Sequence, residues 1–189
     1  MPESNPPIEL RGLSLAELDR LTAKRRLPPV DRWDPPYCGH SGMRIARDGT
    51  WYHQGSAIQR PAMVRLFSTV LRREGDGRHM LVTPVEKLEI DVETTAFRAV
   101  EMSSEGEGRA RRVALRLDSG DVVIVGPGQP LTMVEAEGGP SPRVLVRQGL
   151  EAELARPVYY ELAELALAEA DDPPGIWSDG AFFALAPAQ

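Results

Sequence analysis

The sequence predicts an α+β fold assembled from a duplicated unit. In the first copy, the turn Arg47-Asp48-Gly49 separates two strand-like runs, and Arg60-Pro61 then opens an apolar segment with helical spacing. The second copy repeats this order, with Arg147-Gln148-Gly149 followed by Arg156-Pro157 and another such segment. Each copy therefore predicts a hairpin, a helix and a following strand. Ligand sites commonly lie at the interface between two similar subdomains.

Residues 1–29 are predicted to form an N-terminal tail and one capping helix. Residues 1–12 are rich in proline, which favours a poorly ordered segment. Ser14 and Glu17 have the spacing of a capping box, in which each side chain bonds to the other residue's backbone N–H. The helix they open is expected to end before Pro28-Pro29. Its predicted apolar stripe consists of Leu15, Leu18 and Leu21.

The first repeat subdomain is placed at residues 30–94. The prolines between Trp33 and His40 predict an irregular segment, and Asp48-Gly49 predicts a hairpin of two strands. The helix that begins at Pro61 is expected to continue to the glycine turn at 75–77. Two strands then complete the subdomain, the second with alternating apolar positions. The buried stripe of the helix is predicted to be Met63, Leu66, Phe67, Val70 and Leu71.

The second repeat subdomain is placed at residues 95–189 and begins with a β-meander. Runs of β-forming residues predict strands at Phe97–Met102, Val113–Leu117 and Val122–Val125. Residues 136–142 contain two glycines and two prolines and are expected to be a flexible surface turn. The second copy of the repeated unit follows, and a short hairpin closes the chain.

Composition argues against several classes of function. The chain has 189 residues, a net charge of −6 and only 6% aromatic residues, which disfavours nucleic-acid binding. No apolar run reaches the ~18–20 residues that a membrane span needs, and the N-terminus lacks a signal-peptide pattern. Cys38 is the only cysteine, so no intrachain disulfide can form. These features favour a cytoplasmic protein of bacterial type and leave its oligomeric state undetermined.

A set of short motifs between Trp33 and Phe183 resembles the bacterial family called domain of unknown function 1285. The motifs are Trp33-x-Pro35-x-x-Cys38-Gly39, Met43-Arg44-Ile45, Asp48-Gly49 with Trp51, Arg65-Leu66-Phe67, Val82-Thr83-Pro84 with Glu86-Lys87, Arg156-Pro157, Tyr160 and Gly175-Ile176-Trp177-Ser178. The resemblance implies a duplicated α+β core whose C-terminal half is superficially similar to pleckstrin-homology-like folds. It also implies a ligand site between the halves, for a nucleotide-type molecule, and a role in signalling. It carries over no catalytic residues.

The sequence predicts neither a catalytic thiol nor a metal site. A nucleophilic cysteine needs a base within hydrogen-bond reach and a third group that orients the base, and the closeness of Cys38 and His40 in sequence does not supply this geometry. The three histidines, His40, His53 and His79, lack the paired spacing that places metal ligands on one element. The loop 126–128 lacks the lysine of a phosphate-binding loop and is predicted to be a turn. No cofactor is expected.

The two Arg-Pro positions are candidate anion sites. Arg60 and Arg156 each precede a helix start, where a guanidinium can bind an anion together with the helix dipole. The alternative is an internal ion pair, which is favoured because a repeated residue is what a repeated scaffold requires. The candidate partners for such a pair are Asp48, Glu86 and Glu153.

These observations lead to the hypothesis of a cytoplasmic ligand-binding module with a regulatory or signalling role. Its pocket is predicted between the repeats, for a small anionic or nucleotide-type ligand. Trp51 and Trp177 would provide a stacking surface or, equally, act as core anchors. Thr83 and Lys87 would provide polar contacts or simply end a strand with an exposed ion pair. Positive charge would come from Arg44, Arg60 and Arg156. The alternative function is a protein–protein interaction module without a small-molecule site.

Overall fold

Two six-stranded sheets form the framework of the protein. The structure is a computed structural model that describes residues 7–169 and 171–186. The first sheet consists of β1 (Tyr37–Ile45), β2 (Trp51–His53), β3 (Ser56–Ala57), β4 (Leu71–Arg73), β5 (His79–Val82) and β6 (Lys87–Val92). The second consists of β7 (Phe97–Glu105), β8 (Arg112–Leu117), β9 (Val122–Ile124), β10 (Leu131–Ala136), β11 (Gly139–Arg147) and β12 (Leu150–Leu154). A C-terminal hairpin consists of β13 (Gly175–Ser178) and β14 (Ala181–Ala184), and the helices are α1 (Leu15–Lys24), α2 (Pro61–Thr69) and α3 (Arg156–Glu169).

The two sheets share one topology, which confirms the predicted α+β duplication. The strand order is β3-β2-β1-β6-β5-β4 in the first sheet and β10-β11-β12-β7-β8-β9 in the second. Each sheet joins two antiparallel meanders through a parallel pair, β1 with β6 and β7 with β12. Strands β1–β6 therefore correspond in order to β7–β12. Helix α2 connects the two meanders of its sheet, whereas α3 follows both meanders. The two Arg-Pro units that match in sequence thus occupy different positions in the two sheets.

The N-terminal segment is more ordered than its prolines predict. The capping box is confirmed: the Glu17 N–H donates to Ser14 Oγ at 3.3 Å, and the Ser14 N–H donates to Glu17 Oε2 at 2.8 Å. The prediction of poor order is wrong for residues 7–12, because Ile8 and Leu10 are buried and the Ile8 N–H donates to the Gly120 carbonyl at 3.1 Å. Residues 1–6 lie outside the described part of the chain. The predicted stripe of α1 holds for Leu15 and Leu18, which are buried, while Leu21 is 39% exposed.

Tertiary pairing corrects three predictions in the first subdomain. Strand β1 begins at Tyr37, within the segment predicted to be irregular, because it pairs in parallel with β6 through two register shifts. Helix α2 ends at Thr69, before the predicted glycine turn, because the residues that follow form β4 and pair with β5. Met63 and Leu66 are each 38% exposed, so the predicted stripe is wrong at these positions. The prediction holds for Phe67 and Val70, which pack against the core.

The predicted strands of the second subdomain are confirmed, but residues 136–142 are mostly not a turn. Strand β10 pairs with β11 from Leu131 opposite Val144 to Ala136 opposite Gly139, so only residues 137 and 138 connect the two strands. Prolines are tolerated there because this end of β11 extends beyond its pairing with β12, which begins at Arg143.

One hydrophobic core joins the two sheets. Ile45 and Trp51 of the first sheet belong to the same buried cluster as Leu115 and Leu150 of the second, and Ile176 of the C-terminal hairpin completes it. The halves are therefore packed against each other and not only linked by the chain. Within the described residues, no helix is long and apolar enough to cross a membrane.

Candidate functional site

The two predicted stacking residues are both engaged inside the protein. The Trp51 side chain is only 4% exposed and stacks on Phe67 with 6.4 Å between ring centroids. Trp177 is half-buried, lies 5.4 Å from the Phe182 ring, and has the Arg109 guanidinium 4.7 Å above its own ring. Trp51 is therefore a core anchor, which was the alternative to a stacking surface for a ligand. One face of Trp177 is covered by the Arg109 guanidinium.

Three predicted polar residues have partners within the first subdomain. Arg44 forms an ion pair with Glu93 and lies over the Tyr52 ring, 4.4 Å from its centroid. Lys87 Nζ lies 3.6 Å from a Glu74 carboxylate oxygen. Thr83 Oγ1 accepts the N–H groups of the two residues at 85 and 86, at 3.4 and 3.2 Å, and so closes a local turn.

Arg60 and Arg156 lie at the starts of α2 and α3, and both are exposed. Within the described part of the chain, neither comes within salt-bridge distance of Asp48, Glu86 or Glu153, so the predicted ion pairs are not formed. At exposed positions their attraction for an anion is weakened by solvent and salt.

The structure brings together a different set of charged residues. A cleft of about 390 Å³ lies between α1, β9 and the end of β11, a size within the range of small-ligand sites. It is lined by none of the seven residues predicted from the sequence. Its charged lining consists of three arginines and three aspartates: Arg25, Arg112, Arg147, Asp19, Asp121 and Asp179. Apolar walls are provided by Val122, Val123 and Val146.

Two of the three arginines are neutralised by direct contact with aspartates. Arg25 forms an ion pair with Asp121. The guanidinium of Arg112 lies between two carboxylates: its Nη2 is 2.8 Å from Asp19 and its Nε is 3.3 Å from Asp179. These pairs connect α1 and the C-terminal hairpin to the second sheet, and they fix the two ends of the cleft.

Arg147 is bonded differently from the other two arginines. Gln148 and Gly149 have positive φ angles of 44° and 77°, as the two-residue turn between β11 and β12 requires, and this turn leaves Arg147 at the strand end. Its Nη2 donates to the Ser68 carbonyl of α2 at 2.6 Å, and its guanidinium lies 5.2 Å from the Phe97 ring centroid. Among the described residues, no carboxylate lies within 4.0 Å of it.

The environment of Arg147 disfavours its charge. Burial lowers the pKa of the guanidinium, and the attraction of Asp121 opposes this shift only in part. The cleft therefore contains a desolvated cation that is held by a carbonyl and an aromatic ring. Because Ser68 lies in α2, the same side chain also links the two halves of the protein.

In the sequence, Arg147 is only the first residue of a repeated turn. Its hydrogen-bond partner Ser68 is 79 residues away in sequence, so no local spacing distinguishes this arginine from one that faces solvent. The available signal was indirect: an arginine directly after the buried run of β11, followed by a Gln-Gly turn.

The candidates for catalysis or metal binding do not converge on the cleft. Cys38 is exposed, and its Sγ donates to the Pro36 carbonyl at 3.4 Å. His40 Nε2 lies 3.4 Å from an Asp91 carboxylate oxygen on the first sheet. Across residues 7–169 and 171–186, no group of three or more His, Cys, Asp and Glu side chains is placed to hold a metal ion.

The duplicated sheets and the cleft beside the second one define a two-part α+β protein, and comparison with known proteins identifies its family. The chain belongs to the DUF1285 family: models of its N-terminal and C-terminal domains, both described as of unknown function, match residues 28–95 and 96–185. This confirms the resemblance found in the sequence. Among curated proteins, none matches the chain.

Two solved structures of the family are similar to this protein. A DUF1285 family protein from Silicibacter pomeroyi DSS-3 has a TM-score of 0.81 and 45% sequence identity, over 92% of this chain and 94% of that one. A DUF1285 family protein from Shewanella baltica OS155 has a TM-score of 0.51 and 21% identity, over 69% of this chain and 98% of that one. The second similarity concerns the fold alone.

Proposed function

We propose that the protein is a regulatory module that binds a small acidic ligand in the cleft beside Arg147. The observation that supports this is the state of Arg147, a half-buried cation that no described carboxylate contacts. Burying a charge is costly where no opposite charge contacts it, and the more distant Asp121 offsets this cost for Arg147 only in part. A phosphate or carboxylate would compensate for this cost, because it accepts paired N–H groups from a guanidinium.

The lining favours a ligand with one acidic group over a polyanion. Arg25 and Arg112 already have carboxylate partners in Asp121 and Asp179, so Arg147 is the lining arginine that can offer its charge to a ligand. The valine walls would bury an apolar or planar body. A monophosphate or a simple carboxylic acid therefore fits the cleft better than a triphosphate does.

The regulatory part of the proposal rests on the contact between Arg147 and Ser68. Since Ser68 belongs to α2 and Arg147 to β11, an anion that draws the guanidinium into the cleft would weaken a hydrogen bond between the two halves. A ligand that bonds Arg147 differently in two arrangements of the halves shifts the population between them.

The test is ligand-induced stabilisation measured by thermal unfolding and calorimetry. Inorganic phosphate, butyrate and adenosine monophosphate are titrated into the wild type, Arg147→Gln and the control Arg156→Gln, in which an exposed arginine outside the cleft is changed. A ligand at about 100 times its dissociation constant adds about 2.7 kcal/mol, which corresponds to about 5–10 °C in Tm. We expect this increase in the wild type and the control, and none in Arg147→Gln. The proposal fails if no probe stabilises the wild type or if Arg147→Gln responds equally.

A further inference from the structure

The free edge of β9 opens into the same cleft. Among the strands of the described residues, β9 is outermost in the second sheet and pairs with β8 alone. The Leu117 N–H bonds to the Asp121 carbonyl at 2.8 Å, and the Val125 N–H bonds to the Val113 carbonyl at 2.9 Å. Hydrogen-bonded and non-bonded pairs alternate along antiparallel strands. Asp121 and Val125 face β8 in this alternation, and so does Val123 midway between them. Val122 and Ile124 therefore turn their N–H and C=O groups away from β8.

Nothing in the described part of the chain pairs with these outward backbone groups. Within residues 7–169 and 171–186, no backbone group outside the sheet bonds to Val122 or Ile124, and both residues line the cleft. An edge strand with free N–H and C=O groups is a template for a further strand. Asp19, Thr22 and Leu27 line the other side of the cleft, so an incoming chain would lie along the edge of β9, beside the C-terminal part of α1. The earlier part of α1 packs on Val122 through Leu15 and Leu18.

Both outer strands of the first sheet are less suited to accept a strand than β9 is. Strand β3 has only two residues, and β4 carries two adjacent arginines, Arg72 and Arg73. Long charged side chains and very short strands both discourage pairing at an edge. Strand β9 consists of Val122, Val123 and Ile124, all β-branched and apolar, which favours an extended partner.

From this juxtaposition we propose that the acidic ligand is an extended peptide, which adds a strand to β9 and places a carboxylate on Arg147. This rests on the proposed function, because the same arginine holds the acidic group. Three residues of β9 span about 10 Å and offer about four outward backbone groups. Main-chain bonds would provide affinity, and the valine walls with Arg147 would provide selectivity. A peptide ligand comes from a protein partner, so the cleft would be an interaction site as well as a ligand site.

The experiment uses two short synthetic peptides, so that either binding direction is tested. The sequences Glu-Val-Thr-Val-Gln and Gln-Val-Thr-Val-Glu, both acetylated and amidated, each present one carboxylate, at opposite ends, and the tighter-binding one is used for the comparisons. A matched peptide has Gln at both ends. Two further peptides are N-methylated on alternate residues, one on the odd and one on the even positions. In a paired strand, one of these two sets faces β9 and the other faces away.

Binding is measured by calorimetry to the wild type, Arg147→Gln and Arg156→Gln. We expect one N-methylated peptide to lose binding by at least about tenfold and the other to retain it, since only one set donates to β9. We expect the Gln peptide, and the Arg147→Gln protein, to lose about 10- to 100-fold, the value of a hydrogen bond to a charged group.

The outcomes separate this inference from the proposed function. If phosphate or butyrate binds in an Arg147-dependent way but the peptide does not, the strand-addition inference is overturned and the small-ligand site stands. Equal binding of both N-methylated peptides would also overturn it, because pairing with β9 would then play no part. If neither peptide nor small acid binds, both proposals fail.

Discussion

The substitution Ser178→Ala tests how the C-terminal hairpin is held against the second sheet, where the hairpin contributes to one wall of the cleft. The Ser178 side chain is 0% exposed and carries two hydrogen bonds to the backbone of the second sheet. Ser178 Oγ donates to the Val125 carbonyl at 2.6 Å and accepts the Val113 N–H at 2.9 Å. The next residue, Asp179, lines the cleft and donates its own N–H to the Arg111 carbonyl at 3.0 Å. The change Ser178→Ala removes both side-chain bonds without altering the backbone.

The expected cost follows from the two backbone groups that lose their partner. Each unsatisfied buried group costs about 1–3 kcal/mol, so together they should lower the free energy of unfolding by about 2–6 kcal/mol. The space left by one oxygen is too small to hold a water molecule that could replace the bonds. For a chain of this size, the change corresponds to a decrease in Tm of about 4–24 °C.

Urea unfolding followed by circular dichroism gives the free energy directly. Ser56→Ala, at an exposed serine in β3, is the matched control and should change stability by less than about 0.5 kcal/mol. A loss of less than about 0.5 kcal/mol in Ser178→Ala would refute the reasoning, because the two buried backbone groups would then not depend on this hydroxyl.

Two further predictions concern ionisable side chains away from the cleft. Burial and the nearby Arg73 lower the pKa of His79, so protonation favours the unfolded chain and stability should decrease as the pH falls from about 6.5 through the lowered folded-state pKa. His79→Gln should reduce this loss between pH 7.5 and 5.5 in urea unfolding, whereas the exposed control His53→Gln should not; equal pH slopes in all three proteins would contradict the assignment. Glu169→Ala should cost about 3–5 kcal/mol, because it leaves Arg111 without its carboxylate partner at 2.8 Å in a site where both side chains are nearly buried. The exposed Glu164→Ala is its control in the same assay, and a similar small loss in both would show that the pair does not stabilise the fold.

Local features of the fold were predictable wherever the interacting residues are neighbours in sequence. Ser14 and Glu17 form the predicted capping box, Asp48-Gly49 forms the predicted turn, and Pro61 begins α2. Each of these depends on contacts within a few residues, which any chain with that local sequence can make.

The candidate site was not predictable in the same way. Of the seven residues proposed from the sequence, Trp51 lies in the core, and Arg44 and Lys87 have carboxylate partners within the first subdomain. Arg60 and Arg156 are exposed at helix starts. A residue type indicates which chemistry is available, but burial and partners depend on which segments pack against it.

The sequence by itself determined the α+β class, the duplication, the family and most of the strands, because periodicity, turn residues and family motifs are properties of short segments. Only the tertiary structure decided that α2 ends at Thr69 to allow β4 to pair, that β1–β6 correspond to β7–β12, and that the edge of β9 meets Arg147 in a cleft. The physical reason is the sequence distance of the contacts involved. The hydrogen bond between Arg147 and Ser68 spans 79 residues, and its strength depends on a desolvated environment that exists only once both sheets share one core.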